Sequence, residues 1–330
     1  MKRSISLILC MVLTLTLLPA LAATPNPIPE LAPEELQETP LGITNYLLLC
    51  VDSWNGKADN LGNTDGMMLV TVDRILSKIT VTSFLRDTLI QKPEGGFNRL
   101  SRFVPQNGHN QEAVEKLLKV YATHFGVRID HYIVVDWSMI QRIIDICGVK
   151  DENGIGRVEV YLYDGEVEYL RARNAYKSNW SVPVMRGGGT YMINGRCAVD
   201  YMRCRRSVHK YEGEANDFRR TTRGRNILTS LARSLADVSY DQASELLTAV
   251  ADNILLTDMS LADMWVALDL AYSLRQSEIA QLRIPMDGTY ENIEYNGGAC
   301  IQIDYLRNRD MLLSTLYGGY VVREEDEDWP

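Results

Sequence analysis

Asn45-Tyr46-Leu47-Leu48-Leu49-Cys50-Val51-Asp52-Ser53 is the stretch that sets the fold class. Residues 46–51 form an unbroken apolar run of strand length, as a strand covered on both faces requires. Two further strands are predicted at residues 67–72 and 79–84, parted by a charged turn at Asp73-Arg74. Val114, Leu117, Leu118, Tyr121 and Phe125 then recur at helical spacing, and Gly126 is a natural stop. A strand at 132–135 and a helix at 137–147 come next. This alternation predicts an α/β fold, a mixed central sheet with helices on both sides. Leu261, Met264, Trp265 and Leu268 predict another packed helix, capped by Thr257 or Ser260.

Outside this body the two ends read differently. Lys2 and Arg3 precede an apolar run at residues 5–18, followed by Pro19 and Ala20-Leu21-Ala22. That is the layout of a signal peptide over residues 1–22, with an uncleaved signal anchor as the alternative. The body is expected to face outward in either case. Residues 23–44, with Pro25, Pro27, Pro29, Pro33 and Pro40, read as a stiff, solvated tether. The globular domain is assigned to 45–320 and an acidic, solvated tail to 321–330. Cys50, Cys147, Cys197, Cys204 and Cys300 lack CxxC spacing, which argues against a zinc site and a full disulfide framework. Cys197 and Cys204 either pair across a turn or stay as buried thiols.

The chain is 330 residues long, with 46% hydrophobic residues and a formal charge of -9. Against that acidity, Arg203, Arg205, Arg206, Arg219, Arg220, Arg223 and Arg225 crowd one segment. Forked guanidinium groups suit phosphate or carboxylate oxygens, so a polyanionic substrate is expected. A local basic segment in an acidic chain does not suit general affinity for nucleic acid. Residues 201–205 are predicted to be extended, with Arg203 and Arg205 on one side. Asp217 is predicted to cap a helix carrying Ile227, Leu228, Leu231 and Leu235 on its apolar face. Arg220 and Arg223 then lie near its positive end, a ready anion site. The alternative is a set of surface arginines paired with Glu212, Glu214 and Asp217.

Asp52-Ser53, Thr64-Asp65 and Arg86-Asp87-Thr88 lie at the ends of the predicted strands, where ligand sites of α/β sheets collect. Mg²⁺ is commonly held by one or two carboxylates plus phosphate oxygens, which makes Asp52 and Asp65 candidate metal ligands. Loop and cap aspartates are the competing reading. His109, His124, His131 and His209 show no metal spacing, and GxSxG, HExxH and P-loop motifs are absent. Gly187-Gly188-Gly189 is expected in a mobile loop near the arginines.

NYLLLCVDS, NTDGMMLVTVD, VTSFLRDT, IDHYIVVDW, INGRCAVDYMRCR and DFRRTTRGRNIL, in that order, resemble the LytR-CpsA-Psr family of cell-envelope proteins. The resemblance runs from about Asn45 to Leu235. It implies a three-layer α/β/α sandwich with a long apolar pocket for a polyprenyl chain. It also implies a mouth where arginines and Mg²⁺ (or Mn²⁺) hold the lipid's pyrophosphate. Family members are regarded as phosphotransferases that move an anionic glycopolymer, teichoic acid or capsule, from a polyprenyl-pyrophosphate carrier at the membrane surface to peptidoglycan. By this resemblance Asp52 and Asp65 match the metal positions, and Arg86, Arg203, Arg205 and Arg220 match phosphate contacts. Asp87 is assigned to orienting Arg86 or to assisting deprotonation of the acceptor hydroxyl. Arg86, Asp87, Arg203 and Arg205 are thus the expected catalytic set, with Arg223 added to the phosphate contacts.

The chain departs from the family pattern at Asn63, where Arg is common, and at Gly66, where Thr is common. Gly96-Phe97-Asn98-Arg99 replaces K-I-N-A, and Gly224 replaces Gln. Arg99, Arg102, Arg223 and Arg225 are the cations available to compensate. Three functions follow: a Mg²⁺-assisted phosphotransferase, a polyprenyl-pyrophosphate hydrolase, and a non-catalytic polyprenyl-phosphate-binding envelope or regulatory protein.

Overall fold

Leu47, Leu49 and Val51 are all buried on one face of the first strand, while Leu48 and Cys50 point to the other. The apolar run is therefore covered twice, as its lack of alternation requires. The computed structural model describes residues 25–53, 57–92, 94–175, 185–204, 216–236 and 238–318. Its strands are β1 (Ile43–Val51), β2 (Thr64–Asp73), β3 (Lys78–Phe84), β4 (Leu89–Gln91), β5 (Phe97–Arg99), β6 (His131–Asp136), β7 (Val149–Lys150), β8 (Gly156–Leu162), β9 (Gly189–Asn194), β10 (Leu256–Thr257), β11 (Ile279–Ile284), β12 (Tyr290–Tyr295) and β13 (Gly298–Ile303). Its α-helices are α1 (Phe103–Gln106), α2 (Gln111–Phe125), α3 (Trp137–Cys147), α4 (Asp164–Ala175), α5 (Gly195–Met202), α6 (Asn216–Ser234), α7 (Tyr240–Ala251), α8 (Leu261–Ser273) and α9 (Tyr305–Tyr317).

The central sheet has the order β10-β6-β1-β2-β3-β11. β1 runs parallel to β6 and β3 parallel to β11, while β1 with β2, β2 with β3, and β6 with β10 are antiparallel, so the sheet is mixed as predicted. The predicted turn after β2 closes on Asp73, whose Oδ1 accepts from the amides of Ile75 and Leu76 at 2.9 and 2.8 Å. On one face lie α2 and α9, where Tyr121 and Phe125 each meet Phe84 edge-on at 4.9 Å. Asn110 caps α2 and Gly126 closes it at φ 73°, a left-handed position that glycine takes without strain. Asn45, wholly buried, donates to Arg128 O and Tyr317 Oη and accepts from Thr71 Oγ1, tying β1 to β2 and to α9. On the other face lie α3 and α6, with the small sheet β7-β8-β9 packed beside them. These are the three layers.

Several expectations change. Residues 25–32 do not form a free tether: Ile28 joins the core, the amide of Leu31 donates to Thr123 O at 2.8 Å, and Arg309 donates to Pro29 O at 2.5 Å. Prolines hold this segment extended, which suits a strap across a surface as well as a spacer. β1 begins at Ile43, two residues before the expected onset of order. α8 carries the predicted Ser260 cap, yet none of its residues is buried and Leu261 and Val266 are 62% and 66% exposed. Gly188 donates its amide to Asp164 Oδ1 at 2.6 Å and Gly189 opens β9, so this glycine run is an anchored strand entry. All five cysteines of the body are free and buried. The signal segment, Arg205, Arg206 and the acidic tail lie outside the described residues.

Candidate functional site

β2 enters the sheet at Thr64-Asp65, and Arg86 and Asp87 follow the end of β3, so the antiparallel pairing brings them to one edge. Asp65 divides its carboxylate between two arginines. Oδ1 lies 2.7 Å from Arg86 Nη1, and Oδ2 lies 3.4 Å from Arg220 Nη2. Asp217, in the first turn of α6, does the same: Oδ2 is 3.1 Å from Arg86 Nε and Oδ1 is 3.3 Å from Arg220 Nη1. Arg86, Asp65, Arg220 and Asp217 thus form a closed circuit of alternating charge. The two carboxylates fix both guanidinium planes before any ligand arrives, the preorganisation an anion site needs.

Asp87 stands against this circuit, 3.7 Å from Arg86 Nε and 3.6 Å from Arg99 Nη1. Burial pushes its carboxyl up to about 6, helped by a hydrogen bond to Asp217 and by the negative charge there. Asp217 is held below the ordinary carboxylate range. Burial opposes this, but the hydrogen bond from Asp87 and the charges of Arg86 and Arg220 outweigh it. When the pair holds a proton, that proton resides on Asp87. Arg86 is held firmly charged, because Asp217 and Asp65 overcome the cost of its burial.

Below the circuit lies an apolar cavity of about 240 Å³, walled by Cys50, Gly66 and Met68 of the sheet, Ile144 of α3, and Ile227 and Leu231 of α6. Gly224 also lines it, one turn beyond Arg220 on the same face of α6. The cavity follows α6 from Gly224 to Leu231, about 10 Å at the helical rise. Cys50 marks the junction: burial raises its thiol well above the ordinary value, and Asp65, Asp136, Arg220 and Asp52 all act on it electrostatically. The site is amphipathic, with a charged mouth above an apolar interior.

The other expected residues take different places. Asp52, on the loop after β1, faces Arg203 at 3.9 Å, and Arg203 lies over the Trp137 ring at 5.4 Å. Arg203 is not on an extended segment: α5 continues through Met202, and Arg203 is its helical C-cap. Asp217 lies inside α6, which begins at Asn216. Arg223 does not join the circuit. It is 2% exposed, paired with Glu166 at 2.6 Å, and donates to Cys204 O. Arg225 turns to Ser83 and Gln281. Of the four compensating cations, Arg99 reaches a neighbour of the circuit, through Asp87.

Asp217 is the residue whose role the sequence alone did not reveal. Its spacing of three before Arg220 on a helix was the available signal.

A hard divalent cation requires oxygen ligands, and Asp52 and Asp65 supply only these. Among the described residues no group of three or more His, Cys, Asp or Glu could hold a metal ion. Both oxygens of Asp65 are engaged by Arg86 and Arg220, and Asp52 faces Arg203, so arginines are the partners of these two carboxylates in this structure.

The residues thus build a paired-arginine mouth above an apolar cavity within a mixed α/β/α sandwich. The profile of the LytR_cpsA_psr family matches residues 26–311, and the chain belongs to that family. It is 23% identical over 250 residues to Biofilm regulatory protein A of Streptococcus mutans, covering 74% of this chain and 57% of that protein. It is 23% identical over 259 residues to the polyisoprenyl-teichoic acid–peptidoglycan teichoic acid transferase TagU of Enterococcus faecalis, covering 76% of this chain and 74% of the relative. Its fold matches that of TagT bound to LIIa-WTA with a TM-score of 0.64 at 16% identity, over 87% of this chain and 95% of the other.

Proposed function

We propose that this protein is an extracytoplasmic phosphotransferase of the bacterial cell envelope. It moves an anionic glycopolymer of teichoic acid or capsule type from a polyprenyl-pyrophosphate carrier to peptidoglycan. The observation that carries this reading is the closed Arg86-Asp65-Arg220-Asp217 circuit one helical turn from an apolar cavity. A lipid diphosphate is the ligand class that has both parts. TagU, by its name, transfers teichoic acid from a polyisoprenyl carrier to peptidoglycan.

In this reading the prenyl chain lies in the cavity and the diphosphate meets the guanidinium groups of Arg86 and Arg220 as Asp65 and Asp217 hold them. The acceptor hydroxyl oxygen bonds to the phosphorus nearest the polymer. The bond from that phosphorus to the bridging oxygen breaks, and polyprenyl phosphate leaves with its electron pair. The hydroxyl proton passes to Asp87, whose carboxyl near 6 suits proton acceptance at neutral pH. The arginines neutralise charge on the transferring group, the main source of acceleration in phosphoryl transfer. Mg²⁺, or Mn²⁺, held by Asp52 and Asp65 would supply further neutralisation.

The test supplies lipid-linked polymer with and without peptidoglycan. A covalent polymer–peptidoglycan conjugate made by the native protein and lost in Arg86→Ala is the expected result. Free polymer released equally in both mixtures indicates a hydrolase. Binding without turnover indicates a non-catalytic envelope protein, and either outcome removes the transferase reading.

A further inference from the structure

Beside Asp87 the hairpins β4-β5 and β12-β13 enclose a second, polar cleft of about 170 Å³. Lys92, Arg99 and Arg102 line it, and among the described residues no carboxylate does. In a chain of charge -9 that is a local inversion of sign. Asn98 and Gln106 supply carboxamides, bonded to one another at 2.6 Å, and Tyr295 supplies a phenol and a ring face that packs edge-on against Phe97 at 6.0 Å. Cations, carboxamides and an aromatic wall are the combination that holds a charged sugar.

Arg99 joins the cleft to the reaction centre. Its Nη1 lies 3.6 Å from Asp87 Oδ1, and its Nε donates to Cys300 Sγ at 3.4 Å. The guanidinium also fills the space over Gly298, where any β-carbon would overlap it. Arg99 is therefore held in place from three sides. Among the described residues Lys92 forms an ion pair with the exposed Glu94 alone and Arg102 forms none, so both retain capacity for an incoming anion.

We propose that this cleft is a second anion subsite, which takes a phosphate or carboxylate carried on a saccharide unit next to the reacting phosphorus. Its role, though not its existence, rests on the transferase reading above. The charge comes either from the repeating phosphates of the donor polymer or from the peptide carboxylates of the acceptor. Those two sources share the chemistry that Lys92, Arg99 and Arg102 recognise.

Binding of two soluble probes to the full chain separates them: a short synthetic glycerol-phosphate oligomer and a disaccharide muropeptide. Each is titrated calorimetrically against native protein, the double variant Lys92→Ala/Arg102→Ala, and Gly298→Ala, which crowds Arg99. Geranylgeranyl diphosphate binding and the unfolding temperature are measured alongside. The double variant should bind one probe more weakly by about tenfold or more, a loss of at least one charge-assisted contact. It should keep its diphosphate affinity and its unfolding temperature. Loss with the oligomer assigns the cleft to the donor polymer, and loss with the muropeptide assigns it to the acceptor. Equal binding of both probes by native and double-variant protein, or binding of neither by native protein, overturns the subsite. Failure of native protein to bind geranylgeranyl diphosphate instead removes the transferase reading, and the cleft is then judged by its own two probes.

Discussion

Asp65 and Asp217, one on a strand and one on a helix, bind the same two arginines, each giving one oxygen to Arg86 and the other to Arg220. Neither carboxylate is a simple counter-ion. Together they set the distance and the tilt between two guanidinium forks, and that geometry is what a diphosphate meets. The side chain of Asp65 is only 8% exposed, so loss of either arginine leaves one of its oxygens without that partner in a buried setting.

Arg86→Ala should therefore act twice. Polymer transfer should fall by two orders of magnitude or more, on the scale of about 3 kcal/mol lost from a preorganised charge contact. Folding stability should fall by about 1–3 kcal/mol, because Asp65 and Asp217 lose a partner in a partly buried setting. Urea unfolding alongside the transfer assay separates the effects, and unaltered transfer would contradict the assigned role.

Transfer should decline as pH falls through about 6, as Asp87 takes up its proton and ceases to act as a base. Asp87→Asn should remove that acid limb along with most of the rate. The effect on stability has the opposite sense. The folded value lies above the ordinary 3.8, so the native state holds this proton more tightly than the unfolded chain, and stability from Asp87 is lost as pH rises through about 4 to 6. Asp217, held below its ordinary value, contributes stability that is lost as pH falls. Denaturation of the native protein and of Asp87→Asn across this range measures the first contribution directly.

Gly224→Leu should close the cavity. A β-carbon at this position already overlaps the Met68 methyl, and a longer side chain extends into the space lined by Ile227 and Leu231. Binding of a polyprenyl phosphate should weaken tenfold or more, about 1.4 kcal/mol. Met68→Ala in the same chain should restore part of it. Native mass spectrometry of the loaded protein reads both changes.

Arg223→Ala should destabilise the fold by about 3–5 kcal/mol, since it breaks a buried ion pair and leaves Glu166 without this partner. Replacing both residues, Arg223→Met with Glu166→Leu, should recover most of that loss. Diphosphate affinity of the double variant should match the native protein, because Arg223 faces α4 and not the circuit. A selective loss of diphosphate binding at unchanged stability would return Arg223 to the anion site.

Removing Mg²⁺ with a chelator should weaken diphosphate binding, and Asp52→Asn should reduce the response to added metal. Binding that is indifferent to Mg²⁺, in native protein and variant alike, would remove Asp52 and Asp65 as ligands. The measurement is a titration of a diphosphate probe with and without the ion.

The sequence determined four strands of the central sheet, the helix periods and the chain positions of the acids and arginines. Unbroken apolar runs and recurrent apolar stripes are local properties, and they placed β1, β2, β3, β6, α2 and α3 within a few residues. The sequence order of six motifs also marked the family. The tertiary structure alone decided which arginines meet. Arg220 and Arg223 stand three apart on α6, and the rotation of that helix against the sheet sends one to Asp65 and the other to Glu166. Likewise, the Pro-rich segment reads as spacer until Arg309 and Thr123 are found beneath it. Spacing fixes which residues share a face of their own element. The direction in which that face points depends on partners far away in the chain, which no local pattern encodes.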